Sequence, residues 1–167
     1  GVGGGSLVYA NTLYRPLGDF YDDPQWRAIT DWRAELRPFY DLAERMLGVT
    51  HDSESTPSDA VMRAVADRLG VADTFHYAPV GVHFGEPGKD VPDPYFGGAG
   101  PTRSGCLRCG ECMTGCRHGA KNTLETNYLY LAERAGARIM PQSTVWAVRP
   151  RESRGYDVEI RRTPNGP

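Results

Sequence analysis

GVGGGSLVYANTLYRP, Gly1 to Pro16, opens the chain, and the reading of its glycines decides what the rest can be. GGGS is a common engineered spacer, and a spacer is usually followed by polar sequence. Here the run passes straight into the apolar LVYANTLY. Glycine has no Cβ, so consecutive glycines let backbone N–H groups lie flush against a ligand. The segment therefore reads as a cofactor-contacting loop. It is not a dinucleotide fingerprint, because G-x-G-x-x-G would need glycine where Ser6 stands. Gly88-Lys89 is no P-loop either, since the upstream glycine and the following Ser or Thr are missing.

The second feature is CLRCGECMTGC. All four cysteines of the 167-residue chain, Cys106, Cys109, Cys112 and Cys116, lie in this stretch. A disulfide scaffold spreads its cysteines to staple distant segments, so the clustering reads as metal or redox chemistry in a cytoplasmic setting. The x2-x2-x3 spacing is that of the bacterial ferredoxin run, with Arg117 where proline usually follows. A loop with a ligand at every third residue wraps one corner of a cuboidal cluster, and Gly110 and Gly115 supply tight turns. Arg103, Arg108, Arg117 and Lys121 would offset thiolate charge, opposed nearby only by Glu111. An iron–sulfur cluster on these four residues is the leading expectation. Zinc and metal-free thiols are the alternatives. Zinc sites usually pair two Cys knuckles across a longer spacer. His118 is a further ligand or donor candidate, whereas His51, His76 and His83 read as structural or solvated.

Between and beyond these stretches the chain is ordinary globular sequence. It is 40% hydrophobic and 24% charged, with a net charge of −2. That balance gives no reason to expect nucleic acid or anionic lipid as partner. No apolar run approaches the roughly 18 residues of a membrane span. Asp22-Asp23-Pro24 reads as a helix start, with Trp26, Ile29, Leu36, Phe39, Leu42 and Met46 at helical spacing. Pro38 predicts a break or kink in that run, and Gly48 its end. Thr56-Pro57 predicts a helix over 57–69 closed by Gly70. Partial alternation predicts a strand over 75–85, followed by a Gly- and Pro-rich loop over 86–101. A helix is expected over 122–135, then two strands, STVWAV and YDVEIRRT, joined by a turn at 152–155. Trp26, Trp32 and Trp146 are expected in the core. Helices and strands mix without a repeated βαβ unit, so the fold class is α+β.

Taken together, GVGGGSLVYANTLYRP, DPYFGGAGPTRSGCLRCGECMTGCRHGAKNTL and NYLYLAERAGARI resemble the glucose–methanol–choline (GMC) flavoprotein oxidoreductases, in their cholesterol oxidase-like branch. The resemblance covers essentially the whole chain, and GVGGGSLV and CRHGAKNTL are its most specific parts. It implies part of a two-domain flavoenzyme, with a Rossmann-like FAD-binding domain and a substrate-binding domain. On that reading 1–16 contacts FAD and 17–100 is the substrate-side helical region and strand. Residues 101–121 form the cysteine loop, and 122–167 return to the FAD-binding domain. The resemblance places Val2, Gly3, Gly4, Gly5 and Ser6 against FAD, Asn11 and Thr12 near its ring, and Val145 against adenine. Tyr9 departs from the pattern, standing where relatives often carry Asn or His. The family's G-x-G-x-x-G strand and its catalytic His are not in this sequence, so an internal portion, inactive alone, is expected.

The function expected is FAD-dependent oxidation of a sterol or other hydrophobic alcohol. A cluster on the thiols would relay electrons to an acceptor. A small ferredoxin-like carrier and a zinc-stabilised binding module are the rival readings.

Overall fold

The computed structural model describes residues 1–51 and 55–163 of the chain. It is a mixed helix and strand structure, as composition and periodicity predict. Its strands form separate two-stranded pairs with no larger sheet among the described residues.

Helix α1 (Gly18–Tyr21) is a single turn. The helix predicted from Asp22 does not form there. Asp23 instead closes one turn, its carbonyl accepting from the N–H of Arg27 at 2.9 Å and its Oδ1 from that of Gln25 at 2.8 Å. Helix α2 starts later, at Trp32, and runs to Leu47 with Asp31 as its N-cap. It passes through Pro38. Proline removes one i→i−4 bond, but strong helix formers on both sides and two well-made ends outweigh that loss. The C-terminal end is a Schellman motif. Gly48 stands at φ 60°, its N–H bonding Arg45 O and that of Val49 bonding Glu44 O. Helix α3 (Pro57–Arg68) follows the prediction closely, with a Thr56–Asp59 capping box and Pro57 in the first turn.

The predicted strand over 75–85 is mostly overturned. Only Pro79–Val80 is strand (β2), paired antiparallel with Thr50–His51 (β1). Residues 79–83 act instead as a spine with short, irregular partners on both sides. Leu13 N bonds Pro79 O and Gly81 N bonds Asn11 O on one side. On the other, His83 N bonds Ala120 O, Asn122 N bonds Gly81 O and Cys106 N bonds His83 O. None of these partners stays extended long enough to build a ladder. Pro79, which has no N–H, takes part only through its carbonyl.

Asp90–Val91 (β3) pairs antiparallel with Arg103–Ser104 (β4). The loop between them is gathered by Asp93. Its carboxylate accepts from the N–H groups of Tyr95, Phe96, Gly98 and Gly100 at 2.9 to 3.0 Å. Burial raises the Asp93 pKa, but these four donors outweigh it and hold the carboxyl below its usual range.

Helix α4 is shorter than predicted, Tyr128–Arg134. Residues 122–127 hold a single 3₁₀ turn because their polar side chains capture backbone groups that a helix would need. Thr126 Oγ1 accepts from Thr123 N, and Asn127 Oδ1 from Tyr128 N. The last two strands, Ser143–Pro150 (β5) and Tyr156–Arg162 (β6), form the predicted hairpin. Its register puts Val145, Val148, Tyr156, Val158 and Ile160 on one face, all exposed. Trp146 is not core. It sits at the register shift between Val145 and Ala147, exposed, with the Arg161 guanidinium 3.6 Å from its ring centre.

The buried centre is small and unusually polar. Among the described residues its buried apolar side chains are Pro79, Val82 and Ala120, beside Arg103, Lys121, Asn122 and Asn127. It lies where the spine, the glycine segment and the end of the cysteine loop meet.

Candidate functional site

The glycine segment folds as a 3₁₀ turn, Gly4–Leu7, entered through Gly3 at φ 96° and Gly4 at φ 55°. These left-handed angles need glycine. The Gly4 and Ser6 N–H groups bond Gly1 O and Gly3 O. Among the described residues, those of Val2, Gly3 and Gly5 have no protein acceptor. A Cβ on Gly4 or Gly5 would meet no atom within 4 Å, so bare main chain faces open space. Such a surface fits a flat, polar-edged cofactor such as FAD. The Ser6 hydroxyl is less available than the resemblance implies: it donates to Gly3 O at 2.6 Å and accepts from Leu124 N at 3.0 Å.

Asn11 follows at φ 61°, its carbonyl held by Gly81 N. Thr12 bridges Val80. Val145 stands in β5 and is exposed, and among the described residues no hydrogen bond joins it to the glycine segment.

The cysteine loop encloses a cavity of about 220 Å³. All four thiols line it, together with Asn11, Phe84, His118 and Lys121. The residue expected near the flavin ring thus shares a cavity with the residues expected to hold metal. Gly110 and Gly115 stand at φ 76° and 103°, as the turns predicted there require. Cys109 is exposed and the other three are half-buried; all four are free thiols. Their environments differ. Burial pushes the Cys106 thiol up. Burial acts on Cys116 in the same sense, but backbone N–H groups of Lys121, His118, Ala120 and Gly119 aimed at its sulfur reverse the balance and hold it low. Cys106 Sγ also accepts an N–H, from Arg108 at 3.3 Å.

The side chains that converge tightly enough for a single ion, among the described residues, are Cys109, Glu111 and His118, with ligand atoms within 4.8 Å of one another. The four thiols do not close into such a group, which counts against the four-cysteine zinc reading. His118, weighed as an added ligand, is at the loop's surface side beside Cys109.

Beneath the loop lie two buried cations. Arg103 is 1% exposed and donates to the carbonyls of Gly119, Ala120 and Lys121 at 2.8 to 3.0 Å. Lys121 is 2% exposed, and its Nζ donates to Leu7 O at 3.0 Å and Cys112 O at 2.8 Å. One ammonium group therefore ties the glycine segment to the cysteine loop. Burial lowers the pKa of both cations. Asn122 completes the knot. Its Nδ2 donates to Gly48 O at 3.0 Å, and its carbonyl accepts from Tyr9 Oη at 2.9 Å. That bond gives Tyr9 a structural role. Motif reading passed over Asn122 and the burial of Arg103. The available signal is AKNT, Ala120 to Thr123, a polar run following a cysteine loop inside an otherwise amphipathic chain.

No family model matches the chain, and no solved structure matches it. Curated proteins do match: the chain is related along nearly its whole length to a class of oxidoreductase. These relatives are cholesterol oxidases. Those of two Mycobacterium tuberculosis strains, CDC 1551 / Oshkosh and H37Rv, are each 57% identical over 168 residues, covering 98% of this chain and 29% of theirs. That of Acinetobacter baumannii is 44% identical over 166 residues, covering 94% of this chain and 30% of its own length. The resemblance to the cholesterol oxidase-like branch is borne out. The chain spans under a third of the length of the relatives it matches. No helix among the described residues is long and apolar enough to cross a membrane.

Proposed function

We propose that this chain serves as part of an FAD-dependent oxidoreductase of the GMC type that oxidises a hydrophobic alcohol, a sterol being the substrate class its relatives' name points to. The observation that carries the reading is the open main-chain surface at Gly4 and Gly5 in a chain 57% identical to a cholesterol oxidase. When bound, the flavin supplies a hydride acceptor for the carbinol carbon. The part of this chain is to hold one side of it: Val2, Gly3 and Gly5 offer N–H donors, while Gly4 keeps the approach free of side chains. Asn11 and Thr12 line the ring side, and Ser6 fixes the turn to residue 124. Val145 is proposed as the adenine contact on the resemblance alone. The two-domain FAD-binding and substrate-binding arrangement, the catalytic base outside these residues, inactivity of the chain by itself and a cytoplasmic setting belong to the same reading.

The surface supports membership of a larger body. The chain exposes 12178 Å², whereas a compact monomer of its mass exposes about 8,200 Å².

The test uses the full-length protein. Gly5 is not in a left-handed conformation and has room for a Cβ, so Gly5→Val leaves the turn intact while obstructing the cofactor. Flavin content per polypeptide, read from the visible spectrum, should fall at least tenfold with unchanged far-UV circular dichroism. Full flavin occupancy in Gly5→Val overturns the assignment of this surface.

A second element of the proposal concerns the thiols. All four line one cavity that also contains Asn11. This arrangement favours an iron–sulfur cluster on Cys106, Cys109, Cys112 and Cys116, passing single electrons from the reduced enzyme to an external acceptor.

A further inference from the structure

We propose that Lys121 is a positioning residue for the flavin: its buried ammonium clamps the flavin-facing turn to the cysteine loop, so that the grip on the cofactor depends on how that loop is set. The inference rests on the FAD reading of the glycine segment and needs nothing bound at the thiols.

Three glycines in a row give the turn no side chains to pack, and glycine has the most conformational freedom to lose. Two bonds from a distant stretch of chain fix its second half. Leu124 N donates to Ser6 Oγ at 3.0 Å, and Lys121 Nζ donates to Leu7 O at 3.0 Å. Leu7 carries the fixing back to the glycines, because a Cβ on Gly3 would stand 3.0 Å from Leu7 Cδ2. Gly4 and Gly5 stay clear. The N–H groups offered to the flavin are thus aimed from residues 121 and 124.

Lys121 suits this task because its own base is held. His83 N bonds Ala120 O and Asn122 N bonds Gly81 O, so the spine secures the residues on both sides. Arg103 donates to the carbonyls of Gly119, Ala120 and Lys121 and locks the same stretch. From that base the ammonium is compensated where it lies. Leu7 O at 3.0 Å and Cys112 O at 2.8 Å take two of its three donors, and the Tyr9 ring centre is 4.6 Å away. Tyr9, the departure from the family pattern, closes the clamp, since its Oη also donates to Asn122 O at 2.9 Å.

Hydrogen bonds from a charged donor are stronger than neutral ones, and an ammonium in a buried side chain has little water to replace a lost acceptor. The two carbonyls therefore do not move independently. Cys112 opens a 3₁₀ turn that ends at Gly115, φ 103°. A shift in that turn moves the Cys112 carbonyl, and the ammonium passes the shift to Leu7.

The experiment uses full-length protein stripped of flavin and titrated with FAD. Fluorescence quenching gives the Kd, and the visible bands report the surroundings of the bound flavin. Wild type, Lys121→Met, Gly115→Ala and the double variant form a cycle. A Cβ on Gly115 meets no atom within 4 Å, so Gly115→Ala acts through the backbone of the loop. Lys121→Met should weaken FAD binding by about tenfold and shift the visible bands, with unchanged far-UV circular dichroism. Gly115→Ala should weaken binding as well, and add little once Lys121 is gone, the non-additivity of a shared path. Thr56→Ala, at the start of α3, should keep wild-type affinity and so separates the clamp from general stability. Unchanged affinity in Lys121→Met, effects of the two substitutions that simply multiply, or an equal loss in Thr56→Ala overturns the clamp and leaves the flavin reading standing. Where Lys121→Met does not fold, Gly115→Ala alone decides, and wild-type affinity there overturns the clamp. Wild type unable to bind FAD overturns the flavin reading itself, and the clamp with it.

Discussion

Gly48 shows how one residue decides the join between helix and site. It ends α2 at φ 60°, and a Cβ there would strike Asn122 Nδ2 and come within 2.7 Å of Tyr95 Cε1. A helix-ending glycine is legible in sequence, because the Schellman motif needs the left-handed region. That it is also packed against the buried amide of Asn122 is not, since 74 residues separate the two. Gly48→Ala should therefore cost more than the backbone term of about 1–3 kcal/mol, measured by urea unfolding of the full-length protein. Asn122→Ala removes the donor to Gly48 O and vacates a buried polar site. We expect a loss of about 1–3 kcal/mol in the same measurement, with flavin content falling as the glycine segment loosens.

The elements divide by how local their causes are. Helix α3 was readable almost to the residue because Thr56, Pro57 and Asp59 make its start within one turn. Thr56→Ala should cost about 1 kcal/mol, seen as a lower urea midpoint with an unchanged slope. Helices α2 and α4 were misplaced at their N-terminal ends, where side-chain capture of backbone groups at Asp23 and at Thr126 and Asn127 overrides periodicity. The 86–101 stretch was recognised as loop, but not that Asp93 staples it through four N–H groups. This predicts a pH dependence. The Asp93 carboxyl is held below its unfolded value of about 3.9, so its stabilisation is present above that pH and lost as pH falls through the folded value. The Asp93→Asn variant should be less stable at pH 7 and show a shallower loss of stability between about pH 4 and pH 2, followed by urea unfolding across that range.

At the scale of the whole molecule, the surface is the informative quantity. One hairpin face carrying Val145, Val148, Tyr156, Val158 and Ile160, and the α3 face with Val61, Met62, Val65 and Leu69, are open. The 167 residues produced by themselves should bind an apolar dye such as ANS and show no alcohol oxidation, while the full-length protein should do the reverse. Spacing alone determined the cysteine loop with its glycine turns, the capped helix α3, the hairpin and the glycine segment, because each depends on contacts within a few residues. Only the tertiary structure decided that the four thiols share a cavity with Asn11, that Cys109, Glu111 and His118 converge, and that Arg103 and Lys121 go inside. Those outcomes depend on a spine at 79–83 that brings residues more than a hundred positions apart into hydrogen-bonding distance, Lys121 and Leu7 among them. Such pairings leave no periodic trace, because a buried cation and a solvated one are the same letter in a sequence.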